Sequence, residues 1–195
     1  MQDIFTDIYK NKRWYKGSGS GSLAENTVVY RKFLQKYLLK NNIKTVVDLG
    51  CGDWQFSKLI NWSGIDYLGL DVVDFLIEDN NKNFATDHIH FKCIDGFEAP
   101  LPSADLLIIK DVLQHWPTET IKKFLINIKD RYRFTLITNT LDGKNINSDI
   151  KIGEARAIDL LREPFNIEGQ EILRYQSIRK ISQIMETKVV VEIKN

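Results

Sequence analysis

The chain lacks most of what marks a secreted, membrane-borne or nucleic-acid-binding protein. It carries 2 cysteines in 195 residues, too few for a disulfide framework, and both Cys51 and Cys93 are expected as reduced thiols. No apolar run is long enough to cross a bilayer and no secretory leader is visible, so a cytoplasmic protein without membrane insertion is expected. Neither sign of charge dominates, with 27 Lys and Arg against 26 Asp and Glu; no general electrostatic case remains for nucleic acid or an anionic membrane as partner. Only 3 histidines are present. His88 and His90 alternate onto one face of a strand, but no Cys or carboxylate completes a ligand set, so they read as structural residues and no metal is expected. No internal repeat is apparent.

What is present reads as one α/β domain spanning residues 1–195. An apolar stripe over 24–41 (Val28, Val29, Phe33, Leu34, Tyr37, Leu38) predicts a helix. Strands are then predicted at 44–49, 65–71, 88–94, 104–110 and 132–139, with helices at about 54–61, 73–83 and 118–129. Such alternation implies a parallel sheet with right-handed crossovers. Pro100 and Pro102 make the 95–103 connection a loop. The runs Ile172–Ile178 and Lys188–Ile193 are expected to pair as a hairpin.

The stretch Val46-Val47-Asp48-Leu49-Gly50-Cys51-Gly52-Asp53 is the most telling, a β-branched run that breaks into two closely spaced glycines. This predicts a strand ending in a ligand-binding turn where backbone approaches ligand closely. Twenty-three residues after Asp48, the next strand ends in Asp71, a carboxylate placed to accept from ribose hydroxyls. A dinucleotide site needs a third glycine, which would fall at Gln55, and Asp53 would repel a pyrophosphate while facing a cationic group. A plain strand-to-helix turn is the structural alternative. At the end of strand 104–110 the chain switches to Lys110-Asp111-Val112-Leu113-Gln114-His115. His115 is there a candidate general base, its unperturbed pKa near ~6.5, and Asp111, four residues earlier, a candidate to orient it. The alternative makes Asp111 a strand-end cap and His115 a packing partner of Trp116.

These motifs resemble the cofactor site of class I S-adenosylmethionine-dependent methyltransferases, in which an acid precedes a Gly-x-Gly turn and a second acid closes the next strand. Trp54 stands where the fuller family pattern has a third glycine. The resemblance implies a Rossmann-like methyltransferase fold, a mostly parallel seven-stranded sheet with one antiparallel strand and helices on both faces. It implies S-adenosyl-L-methionine as cofactor, held by Asp48, Gly50, Cys51, Gly52 and Asp53 in the turn, by Asp71 and Val72 at the ribose, by Asp95 and Gly96 at the adenine amino group, and by Lys110. Trp54, Phe97 and Trp116 are candidates to stack on adenine, with core packing as the alternative for each. More closely, Trp14 with the Gly-Ser run, the segment from Asp48 to Ser57, and Lys110 to Pro117 look like small bacterial stand-alone methyltransferases sometimes associated with surface-polysaccharide genes.

Two segments exceed a minimal fold. Residues 1–23, with Trp14, Gly17, Ser18, Gly19 and Ser20, read as a lid over the cofactor or as a disordered tail. The 141–170 connection follows a strand on the binding edge and is assigned to the acceptor, with Arg156 and Arg162 as candidate contacts and a solvent-facing arginine as the alternative for each. The expected acceptor is a small polar molecule, with an oxygen of a sugar or glycan-precursor substituent as the methylated atom, and no Asn-Pro-Pro-Tyr-like signature points to amino groups. An inactive cofactor-binding regulatory module is one alternative. A nucleotide-dependent epimerase or reductase is another, disfavoured by the missing glycine and the lack of a Tyr-x-x-x-Lys pair.

Overall fold

In the computed structural model, which describes residues 1–96, 100–142 and 145–195, seven strands form one sheet in the order β3-β2-β1-β4-β5-β7-β6. The strands are β1 (Thr45–Leu49), β2 (Asp66–Asp71), β3 (Ile89–Cys93), β4 (Ala104–Lys110), β5 (Tyr132–Thr140), β6 (Gln170–Arg179) and β7 (Ile184–Lys194). The first five are mutually parallel, and β7 runs antiparallel to both β5 and β6. This is the mostly parallel sheet with one antiparallel strand that the sequence predicts. Leu106 to Ile109 on β4 are all at most 1% exposed, as a central strand covered on both faces requires.

Among the described residues four α-helices accompany the sheet: α1 (Gln2–Lys10), α2 (Val28–Lys40), α3 (Asp74–Phe84) and α4 (Thr118–Ile128). Tyr30, Leu34, Tyr37 and Leu38 of α2 pack with Val46, Leu106 and Ile108 on one face. Ile121, Phe124 and Ile128 of α4, joined by Phe5 and Ile8 of α1, pack with Val47, Leu107 and Ile109 on the other. Burying these stripes drives the layering, since each large side chain removed from water contributes about 1.5–3 kcal/mol.

Three local expectations are corrected. No α-helix forms over 54–61: Trp54 takes φ 54°, outside the helical region, and only a 3₁₀ turn at Ser57–Leu59 follows. Burial explains the distortion, because the Trp54 ring is wedged among Tyr67, Phe84 and Phe91. The helix expected from residue 24 begins only at Val28. Before it, the Asn26 amide group bridges to Ser20 and to the Ile178 backbone of β6. The N-terminal residues, for which the sequence predicts a lid or a disordered tail and no element, form helix α1. No helix among the described residues is long and apolar enough to cross a membrane.

Candidate active site

The strand order reverses direction around β1, with β2 on one side and β4 on the other, so the carboxyl ends of these strands open a crevice. A cavity of about 330 Å³ lies there. Its floor is the turn after β1, where the amides of Gly50 and Cys51 both donate to the Leu70 carbonyl, at 2.7 and 3.0 Å. Gly50 has φ 76°, and a Cβ there would fall 2.3 Å from Val112 Cγ2. Gly52 has φ 55°, and a Cβ there would fall 2.2 Å from Ser18 Oγ. Glycine is therefore required at both positions, by conformation and by space.

Asp71, at the end of β2, accepts from the Gly52 amide at 2.9 Å and the Val73 amide at 3.0 Å. Burial raises its pKa, and these backbone donors oppose the rise. Asp48 lies beneath the turn, 3% exposed, and accepts from the Tyr67 hydroxyl at 2.6 Å. Burial pushes its pKa up to about 6 against the pull of Tyr67 and the Lys110 charge. Val72, Asp95 and Gly96 also line the cavity, and the Met1 amino group lies 3.9 Å from the Asp95 carboxylate. Phe97 falls outside the described residues. Trp116 lines the cavity, whereas Trp54 is buried in the core.

The N-terminal segment packs over this crevice. Ser18 Oγ donates to Asp53 Oδ1 at 2.6 Å, its amide faces Asp53 Oδ2 at 3.3 Å, and Tyr9 Oη lies 2.8 Å from Ser18 Oγ. Lys110 Nζ donates to the Gly21 carbonyl at 3.0 Å. Trp14, Ser18, Gly19 and Ser20 thereby line the cavity. Asp53 is placed differently from the sequence reading. Its carboxylate takes Ser18 and Gln55, and it, Gly17 and Gly52 are not part of the cavity lining, so that Asp53 holds the N-terminal segment instead of facing a cation.

At the end of β4, Asp111 has φ 60° and receives Lys110 Nζ at 2.5 Å and Lys188 Nζ at 2.7 Å. Burial pushes its pKa up, and the two ammonium groups more than reverse this, leaving the carboxyl well below the usual carboxylate range. Asp111 therefore does not orient His115, which is a correction. The left-handed turn at Asp111 breaks the helical spacing assumed between the two, and its oxygens are committed to lysines. The orienting group is the Glu154 carbonyl, 2.9 Å from His115 Nδ1. A carbonyl only accepts, so Nδ1 carries the proton and Nε2 presents its lone pair. Burial lowers the His115 pKa, the Glu154 bond opposing it, and keeps the ring neutral. Trp14 and His115 ring centroids are 4.9 Å apart.

The two arginines assigned to the acceptor separate. Arg162 is ion-paired to Asp159 at 3.1 Å and lines a different cavity of about 270 Å³ against β6 and β7, so it does not share the main site. Arg156 is 8% exposed, and its guanidinium has no hydrogen-bond partner among the described residues. Its amide donates to the Gln114 carbonyl at 3.2 Å, beside the cavity-lining Ala155. The sequence reading missed Arg179, Glu186 and Lys188, which the β6–β7 hairpin delivers to the cavity. The interruption of an apolar strand by Glu186 and Lys188 was the available signal, but their destination depends on the pairing of Thr140 with Lys188.

A family model described as an O-methyltransferase domain matches residues 2–145. Among solved structures, Burkholderia thailandensis 1,6-didemethyltoxoflavin-N1-methyltransferase, with bound 1,6-didemethyltoxoflavin and S-adenosylhomocysteine, aligns with a TM-score of 0.71 at 12% identity, over 100% of this chain and 87% of that one. A SAM-dependent methyltransferase from Anabaena variabilis gives 0.69 at 14% identity, over 100% and 94%. The magnesium protoporphyrin IX methyltransferase of Synechocystis with bound SAH gives 0.66 at 13%, over 98% and 99%. At these identities the likeness is one of fold. No curated protein matches the chain.

Proposed function

The chain belongs to the O-methyltransferase domain family, and on that premise we propose that it transfers the methyl group of S-adenosylmethionine, in the cytoplasm, to an oxygen of a small polar acceptor, a sugar hydroxyl or glycan-precursor substituent. The observation that carries this reading is that one cavity joins the Gly50 turn and Asp71 to a neutral histidine whose Nδ1 proton is held by the Glu154 carbonyl, which leaves Nε2 as the basic nitrogen, with only a long 3.4 Å contact to the Gln114 amide nitrogen. The residues fit the cofactor: the turn excludes any Cβ, the Asp71 carboxylate is suited to ribose hydroxyls, and ionised Asp48 stabilises a nearby cation. When bound, S-adenosylmethionine supplies an electrophilic methyl group on a sulfonium. The chain's own part is alignment and proton removal. Asp95 and Gly96 meet the adenine end, Trp14 and Ser18 to Ser20 exclude water from above, and His115 Nε2 takes the acceptor's proton.

The reading is tested by incubating the protein and S-adenosylmethionine with monosaccharides, nucleotide sugars, phenols and amines while following release of S-adenosylhomocysteine. Turnover is expected with hydroxylated acceptors. Turnover confined to amines would contradict the assignment to oxygen.

Two further outcomes follow from the cofactor's surroundings. Affinity for S-adenosylmethionine falls as pH is lowered through about 6, because Asp48 then gains a proton and loses its charge. Calorimetric titrations on either side of that pH check it, and in Asp48→Asn the affinity stays at the low-pH level throughout. The N-terminal cover is expected to act as a lid, so amide hydrogen exchange across residues 14–22 slows on adding the cofactor. Equal exchange with and without it would make the segment a fixed part of the wall.

A further inference from the structure

Lys188 is 3% exposed, yet its ammonium reaches the cavity wall from β7. Nζ donates to Asp111 Oδ1 and to Thr140 Oγ1, each at 2.7 Å. An ammonium has three donors, so one remains uncommitted among the described residues. Asp111 accepts Lys188 on Oδ1 and Lys110 on Oδ2, which leaves about two of the roughly four acceptor positions of a carboxylate open. Lys110 donates to the Gly21 carbonyl and to Asp111 Oδ2 and stands 5.7 and 5.1 Å from the Tyr30 and Phe56 ring centroids. Gly21 packs closely over the pair, since a Cβ there would come 2.9 Å from Asp111 Oδ2 and 3.7 Å from Lys188 Nζ, and all three residues line the cavity.

A free donor beside a free acceptor selects the chemistry of what binds. A carboxylate or phosphate meets the charge of Asp111, and an ammonium group meets two lysines. A neutral hydroxyl donates to the one and accepts from the other. The pair is also tied into one frame with the base. Gln114 Nε2 lies 3.4 Å from His115 Nε2, Gln114 Oε1 accepts from the Thr140 amide at 3.2 Å, and Thr140 Oγ1 accepts from Lys188. The Trp14 ring beside His115 offers an apolar surface for the C–H face of a ring.

We propose that Asp111 and Lys188 hold a second hydroxyl of the acceptor, next to the one whose proton passes to His115, so that acceptors are molecules with two adjacent hydroxyl groups. This rests on the methyl-transfer reading and narrows its substrate class to vicinal diols. Lys188 and Asp111 are thus specificity-determining residues, and His115 alone takes the proton.

The test begins by confirming with calorimetry that wild type, Lys188→Met and Asp111→Asn bind S-adenosylhomocysteine. Absence of binding to wild type would strike the methyl-transfer reading itself, and retained binding by a variant shows that its fold is intact. Asparagine tolerates the left-handed backbone at position 111. With the homologue saturating, saturation-transfer NMR then compares cis-1,2-cyclohexanediol, trans-1,2-cyclohexanediol and cyclohexanol as probes. At least one diol is expected to bind wild type about tenfold more tightly than cyclohexanol, the scale of a hydrogen bond to charged groups. That preference is expected to disappear in Lys188→Met and to shrink in Asp111→Asn. Equal binding of cyclohexanol and the diols, a preference surviving in Lys188→Met, or no transfer to either diol would overturn the proposal.

Discussion

Replacing His115 by alanine is expected to lower the methyl-transfer rate by about 10²–10⁴-fold, the usual contribution of a general base, while affinity for S-adenosylmethionine stays close to that of wild type. The expectation rests on tautomer and protonation together. The Glu154 carbonyl fixes the proton on Nδ1, and burial keeps the ring uncharged. The sign of the pH dependence follows. The base works only when neutral, so the rate of the wild-type enzyme falls on the acid side, with a midpoint below the ordinary histidine value near ~6.5 because burial favours the neutral ring. That acid limb should vanish in His115→Ala. Asp111→Asn is expected to leave the limb in place, since Asp111 is bound to lysines and not to the imidazole. Steady-state rates of S-adenosylhomocysteine release across pH check both statements. A variant that keeps rate and limb would assign catalysis to proximity alone, with an already ionised oxygen as the acceptor.

Asp71→Ala is expected to weaken S-adenosylmethionine binding by about 1.5–3 kcal/mol, the range for loss of a charged hydrogen-bond acceptor. Asp71 has two duties, and the substitution strikes both. Its carboxylate is suited to ribose hydroxyls, and the same oxygens accept the Gly52 and Val73 amides that shape the turn. Asp71→Asn separates them. It keeps one carbonyl acceptor for a backbone amide but loses the charge, so its melting temperature should lie nearer wild type than that of Asp71→Ala. Its cofactor affinity should still drop. Unchanged affinity in both variants would remove Asp71 from the site.

The sheet was legible because its signals are local. Apolar runs at Val46-Val47 and Leu106 to Ile109 report strands buried on both faces, and strand–helix alternation implies parallel neighbours. The glycine turn was legible for a similar reason, since two glycines one residue apart after a strand answer a need for positive φ. What failed depended on contacts between distant residues. The helix at 54–61 was lost to packing of Trp54 against Tyr67, Phe84 and Phe91. The assumed link between Asp111 and His115 took a helical spacing for granted where Asp111 is left-handed and Leu113–His115 is a 3₁₀ turn. The charge of Asp53 suits a sulfonium, but Ser18, 35 residues away, claims it. Lys188 escaped notice because its place beside Asp111 is set by the β5–β7 register, 77 residues from its partner.

The central claim is that the crevice at the carboxyl ends of β1 and β2 is an S-adenosylmethionine site and not a dinucleotide site. Isothermal titration of the wild-type protein with S-adenosylhomocysteine and with NAD⁺ tests it most directly. Saturable binding of S-adenosylhomocysteine at one site per chain and no heat from NAD⁺ is the predicted result, whereas NAD⁺ binding with none from S-adenosylhomocysteine would contradict it.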